Sequence, residues 1–453
     1  MRSALGLFFV LSTASVLSAL VACGTSDATP SPGTDAGPTV IPEEIVPGSL
    51  PCDVDKVLAD NCRKCHSDPA EFGSPMPLVS MTDLHRAAKS DKSRKVYELV
   101  PNRIANDQDP MPPAPNARLS AADRAVLSSW AAAGAPAGTV TDCGNKTPVV
   151  DPGISCTPDL AIAPATPYTM EPTSGDEYVC YGVDLSTPTP RHVTAFAPHI
   201  DNTKIVHHVV LFEADSTYTT TPTKCDSGGS LQWRMVMAWA PGGKGLEMPA
   251  EAGFPLKTDA EGKTHYVVQM HYSNPQALTG QTDKSGFNFC TSAPRKYEAD
   301  VLAFGTQQID MKAGMASYER VCSITVPDQL KNLHLIASMP HMHKLGTEMS
   351  TELLAGGPTG ASTDLGTVPA YSFNTQAWLE IKGVAGEVGA VTKKDDVIKT
   401  RCAWKNTTGA DVKYGSKTAD EMCYSFTVYY PKVKPPTGVP WSWAFPALAS
   451  TCK

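Results

Sequence analysis

From about residue 158 to the C-terminus, apolar positions recur in short, often alternating runs: Val193–Ala197, Ile205–Phe212, Tyr266–Tyr272, Ser323–Val326, Leu333–Ala337 and Ser425–Tyr430. A period of two over such lengths predicts half-buried β-strands. Turn clusters such as Pro241-Gly242-Gly243 and Gly356-Gly357-Pro358 separate them, and no long amphipathic helix interrupts them. The pattern predicts two all-β sandwiches, jelly-roll-like, over 158–295 and 296–453.

Residues 51–137 read differently. Val54-Asp55-Lys56-Val57-Leu58 leads into Cys62-Arg63-Lys64-Cys65-His66. Ser120 and Asp123 form a capping-box pattern ahead of an apolar face of Val126, Leu127 and Trp130, and Gly134 then Pro136 stop that helix. A small all-α domain is expected here. Between these regions, 138–157 reads as a Thr/Gly/Pro/Asp linker that would let the helical domain swing, and 24–50 as a disordered tether.

The first residues carry a targeting signal. Arg2 supplies the positive start, Leu5 to Val21 the apolar run, and Leu20-Val21-Ala22-Cys23 a small-residue cleavage site. The last four resemble a bacterial lipobox, in which Cys23 is acylated and becomes the mature N-terminus. An ordinary signal peptide over 1–23 is the alternative, and both readings place the chain outside the cytoplasm. No later apolar run approaches the length of a membrane span, so a lipid anchor is the expected membrane attachment. The net charge of -8, with no clustered basic stripe, gives no support for nucleic-acid binding.

Cys-x-x-Cys-His is the pattern of covalent c-type haem attachment: two thiols bond to the porphyrin edge and His66 ligates the iron. Asp109-Pro110-Met111-Pro112-Pro113 offers Met111 as a sixth ligand, with Met76 in Pro75-Met76-Pro77 as competitor. His/Met ligation raises the haem potential and suits electron transfer. The region resembles small cytochrome c domains, down to the turn Gly134-Ala135-Pro136. Of the 13 cysteines, removing Cys23, Cys62 and Cys65 leaves ten, an even number that fits five disulfides in an exported protein. Cys52 and Cys143 flank the helical domain and are a candidate pair.

Five of the 11 histidines cluster in three motifs: His207-His208, Gln269-Met270-His271-Tyr272, and Pro340-His341-Met342-His343. In a strand, His341 and His343 share a face, whereas adjacent His207 and His208 need a bulge or a twisted edge to ligate together. Met422 in Asp420-Glu421-Met422-Cys423 supplies a thioether. Imidazole suits several transition metals, but adding a thioether argues copper over zinc.

These motifs resemble the copper type II, ascorbate-dependent monooxygenases, the family of peptidylglycine α-hydroxylating and dopamine β-monooxygenases. The resemblance rests on Asp176-Glu177-Tyr178-Val179-Cys180, Val206-His207-His208-Val209, Ala238-Trp239-Ala240, the stretch from Gln269 to Pro275, the stretch from His341 to Gly346, and Asp420-Glu421-Met422-Cys423, in the family's order. It implies an electron-transfer copper on His207, His208 and His271. It implies an oxygen-binding copper on His341, His343 and Met422, with Gln269 near the path between them. It further implies disulfides Cys180–Cys290, Cys322–Cys452 and Cys402–Cys423, leaving Cys156 and Cys225 to pair. The expected activity is hydroxylation of an organic substrate's C–H with O2. Electrons would come from an ascorbate-like reductant or a redox protein, and the fused haem would supply or supplement them.

Two departures bear on substrate. Met339 stands where the peptide-amidating enzymes have a carboxylate-gripping arginine, and Tyr424 and Phe426 stand where they have asparagine and tyrosine. Peptide amidation is therefore not expected. A non-catalytic copper-binding, electron-transfer or sensor protein is the alternative. A zinc hydrolase is disfavoured because no acidic general base accompanies the three histidines in sequence.

Overall fold

A computed structural model describes residues 46–453 apart from 108, 114–115, 141–142, 144–152, 227–232, 257–260, 374–375, 384–388, 416, 418 and 434–444. The signal segment with Cys23, most of the expected tether, and most of 138–157 lie outside the described residues. Four helices come first: α1 (Cys52–Asn61), α2 (Met81–His85), α3 (Val96–Ala105) and α4 (Ala121–Ala132). Val54, Val57, Leu58, Leu84, Leu127 and Trp130 form their shared core. Ser120 caps α4 by accepting from the Asp123 N–H, and Trp130 Nε1 donates to the Pro136 carbonyl beyond the helix. The expected tether ends earlier than 50: Leu50 is buried, and Ser49 pairs with Gly138.

The β region begins with β1 (Leu160–Ile162), β2 (Asp176–Ser186), β3 (His192–His199), β4 (Val206–Ala214), β5 (Thr223–Lys224), β6 (Trp233–Trp239), β7 (Ala252–Pro255), β8 (Lys263–Ser273) and β9 (Gly286–Ser292). One sheet runs β1-β9-β3-β7 with further short strands, and the other runs β5-β2-β8-β4-β6. Phe196 and Phe289 from the first sheet meet Val179, Val209 and Tyr266 from the second, the sandwich packing that the alternation predicts.

Next come β10 (Asp300–Thr306), β11 (Tyr318–Thr325), β12 (His334–His341), β13 (Gly346–Leu354), β14 (Ser362–Val368), β15 (Val397–Trp404), β16 (Cys423–Tyr430) and β17 (Thr451–Cys452). Sheets β10-β16-β12 and β14-β13-β15-β11-β17 carry this half. The core of the first half continues without a break into Ile336, Met339, Phe426 and Val428 of the second. Arg234 on β6 pairs with Glu213 on β4 and, at 2.7 Å, with Asp300 on β10, so a buried ion triad ties the halves together.

The described cysteines form five disulfides, with Cys62 and Cys65 left free. Cys52–Cys143, Cys322–Cys452 and Cys402–Cys423 agree with expectation. Cys180–Cys290 and Cys156–Cys225 do not form. Cys180 bonds Cys225, and Cys156 bonds Cys290. Sheet membership explains the exchange. Cys180 on β2 lies beside β5, whose Thr223 it faces, and the next turn brings Cys225 back to Tyr178. Cys290 lies in the opposite sheet on β9, whose neighbour β1 is entered directly from Cys156.

The helical region does not stand away on a free linker. Its Cys65–Ser74 loop packs on the first sandwich: Phe72 meets Trp239 edge-on, with ring centroids 5.8 Å apart, and joins that sandwich's core.

Candidate metal centres

Strands β4 and β8 run antiparallel, with His271 opposite His208. The register then slips, so that Tyr272 faces Val206. His207 is the extra residue of a β-bulge, which turns two adjacent side chains toward one partner. The His207 and His271 Nδ1 atoms lie 3.0 Å apart, and those of His271 and His208 lie 3.4 Å apart. On its far side, His271 donates Nε2–H to Asp176 at 3.0 Å and stacks on Tyr178 at 4.4 Å. That bond fixes the tautomer and leaves the His271 Nδ1 lone pair aimed into the cluster.

Burial, then the neighbouring His271, pushes His207 down to about 3, and burial holds His208 well below the usual histidine range. Both are therefore neutral imidazoles at physiological pH, the form that ligates metal. Three nitrogens crowded together cannot all find protons among themselves. A metal ion bound by three imidazoles satisfies them, so these residues fit copper.

The second set is built differently. Strand β12 pairs with β16, His341 facing Tyr424. Continuing that register puts His343 opposite Met422. His341 donates Nδ1–H to Gln376 Oε1 at 2.5 Å, and His343 donates Nδ1–H to the Asp420 carbonyl at 3.0 Å. Both imidazoles thus keep Nε2 for a ligand. Burial pushes His341 down to about 3 and lowers His343. Met422 is buried just before β16, the strand that pairs with β12, and two imidazoles with a thioether would fit copper.

Glu421 braces this loop. Its carboxyl accepts from the N–H groups of His343 (2.9 Å), Leu345 (2.7 Å) and Met422 (3.3 Å), and from Trp404 Nε1 (2.9 Å). Burial nevertheless pushes Glu421 up to about 7, so the site uses it as an anchor for backbone. The Cys402–Cys423 disulfide fastens the same strand.

Phe373 lies between the two sets, 6.0 Å from His208 and 5.8 Å from His343, ring centroid to centroid. Gln269, two residues before His271, is buried and donates to the Asp226 carbonyl at 2.9 Å. Asp176, Glu421 and Tyr178 stand in motifs quoted above, but their roles as supports emerge only from the geometry. Gln376 and Phe373 carry no local signal.

In the helical region, α1 delivers Cys62, Cys65 and His66 to one turn. His66 is buried and donates Nδ1–H to the Met76 carbonyl at 2.8 Å, leaving Nε2 for an axial bond. Burial pushes the Cys62 thiol up to about 12 and the Cys65 thiol to about 11. Two thiols outside any disulfide, in one turn with an oriented imidazole, are the donor set that a c-type haem would need. Met111 is tied through its N–H to the Arg103 carbonyl, and Met76 is held near His66 through its backbone.

Residues 165–279 match the family model described as copper type II ascorbate-dependent monooxygenase, N-terminal domain, and 297–437 match the corresponding C-terminal domain. Together they cover more than half of the sequence, and the chain belongs to this family. Among relatives, tyramine beta-hydroxylase of Caenorhabditis briggsae is 27% identical over 260 residues, covering 53% of this chain and 42% of that protein. Dopamine beta-hydroxylase of Bos taurus is 26% identical over 292 residues, 59% of this chain and 46% of that protein. The chain spans less than half the length of these relatives.

Proposed function

We propose that this chain is a copper-dependent monooxygenase that hydroxylates a C–H bond of an organic substrate with O2, and that a covalent haem on its helical region supplies electrons. The observation that carries this reading is the pairing of two histidine sets across Phe373, with His207, His208 and His271 in one and His343, beside His341, in the other, whose third ligand would be Met422. Copper, when bound, supplies the two electrons needed to insert one oxygen atom and reduce the other to water. The chain's own residues do the rest. Asp176, Gln376 and the Asp420 carbonyl orient the imidazoles, and Glu421 holds the His343–Leu345 backbone.

The surroundings of the second set favour a substrate without a carboxylate. Phe426 stands 5.7 Å from His341, and Met339 is buried in the adjoining core where a gripping arginine would be needed. Tyramine and dopamine, from the relatives' names, are the first amines to screen. Five disulfides fit an exported protein, and acylation of Cys23 would hold it to a membrane.

The test is product formation under isotopically labelled O2 with ascorbate. One labelled oxygen per product, lost in His343→Ala, supports the reading. Copper binding without reductant-dependent O2 uptake would leave an electron-transfer or sensor protein instead.

A further inference from the structure

The helical region meets the β region most extensively through the loop after its Cys-x-x-Cys-His turn. The loop from Cys65 to Ser74 is closed at its base by the Cys65 carbonyl, which accepts from the Glu71 N–H at 2.8 Å and the Ser74 hydroxyl at 2.5 Å. Its tip is Phe72-Gly73, both left-handed, with φ of 53° and 70°. That conformation is unfavourable for phenylalanine and persists only when the surroundings enforce it. Here Phe72 donates its N–H to the Thr203 carbonyl and buries its ring against Trp239.

What the strained tip achieves is closeness to His207. A methyl group built on Gly73 would stand 3.3 Å from Cδ2 of His207 and 3.3 Å from Cβ of Ser273. A side chain at 73 would crowd the imidazole, so glycine lets the loop backbone pass beside His207. Gln276 reaches back from beyond β8 to the carbonyls of Ala70 (3.4 Å) and Ser74 (3.5 Å), and Lys89 donates to the Pro275 carbonyl at 3.2 Å. These contacts fall on the segments that carry or flank His207 and His271.

We propose that the Cys65–Ser74 loop is the electron-entry bridge of this protein, delivering reducing equivalents from the haem-attachment turn to the three-histidine site through Gly73 and His207. This rests on the reading that haem is held by Cys62, Cys65 and His66, and copper by His207, His208 and His271. The path runs from Cys65 through the Ser74 hydroxyl and one peptide unit to Gly73, then across the gap to the His207 imidazole. One electron crosses at a time: iron(II) becomes iron(III) as copper(II) becomes copper(I), and no covalent bond forms or breaks. The site with Met422 is reduced second.

The experiment uses the full-length protein loaded with haem and copper. The haem is flash-reduced without oxygen, and haem reoxidation is followed together with loss of the copper(II) resonance. A rate independent of protein concentration is expected. It should persist in Met422→Ala and disappear in His207→Ala. Phe72→Ala and, with the tip's own sequence intact, Gln276→Ala should each slow it, Phe72→Ala by about ten-fold, a barrier change on the scale of a lost packed contact. Haem spectrum and copper content should stay unchanged in both. In the resting protein, the ferric haem should also shorten the magnetic relaxation of the three-histidine copper.

An unchanged rate in both loop variants, or a fast phase surviving in His207→Ala, would overturn the proposal. Purified protein lacking haem absorbance would instead sink the functional reading on which it rests.

Discussion

The two histidine sets share a buried setting and differ in how the chain presents them. At His207, His208 and His271, three Nδ1 atoms converge, and the one support seen on an imidazole's far side is Asp176. At His341 and His343, Nδ1 is turned away into Gln376 and the Asp420 carbonyl, so Nε2 is left for a ligand, and the proposed third ligand is the Met422 thioether. The first set is closed by strand pairing and a bulge. The second sits at the end of β12, where the backbone is fixed by a buried carboxyl and a disulfide. Gly73 of the helical region lies beside His207 of the first, and Phe373 lies near both. On the proposed reading, the first set would relay electrons and gain from a packed neighbour, whereas the second would meet O2 and substrate and need room beside its ligands.

Removing one ligand from each set separates these roles most sharply. Met422→Ala should abolish product formation while one copper per chain remains. Retained turnover would show that the thioether is not part of the reacting site. Glu421→Ala should destabilise the second half by at least about 3 kcal/mol, since it strands several buried N–H groups that cost about 1–3 kcal/mol each. Urea unfolding measures this, and the equivalent loss should be absent in Asp176→Ala.

Asp176→Asn should instead weaken copper at the first set by about 10- to 100-fold, the usual penalty for losing the partner of a ligating histidine. Competition with a chelator reads it, and an unchanged affinity would mean that the tautomer is set elsewhere. The smallest effect concerns pH. In metal-free protein, His207 and His341 titrate near 3 when folded, against about 6.5 when unfolded. Between those values the unfolded chain binds more protons. Stability from these groups is therefore complete above about pH 6.5 and declines as pH falls toward 3. The double variant His207→Asn, His341→Asn should flatten that slope.

Much of this was legible in the sequence because strand periodicity is local. Each of the six apolar runs forms the body of a strand, and the adjacent pair His207-His208 announces a bulge, since without one the two rings would part. The exchange of Cys290 and Cys225 was not legible: partner choice depends on which sheet β5 and β1 join, and their few residues give no pattern. Gln376 lies 35 residues beyond His341, in a stretch whose path is set by packing. The docking of Phe72 was hidden for a similar reason. A Gly-containing loop after the haem motif looks like surface until Trp239 and Thr203 are seen to receive it.

Elemental analysis of purified mature protein for copper per chain, alongside X-ray absorption of the reduced form, tests whether one chain holds two unlike copper sites. Two coppers are expected. Sulfur scattering should belong to one of them and vanish with the loss of one copper in Met422→Ala, whereas His271→Ala should remove the other copper and leave the sulfur signal. A single copper, or sulfur scattering unaffected by Met422→Ala, would contradict the account.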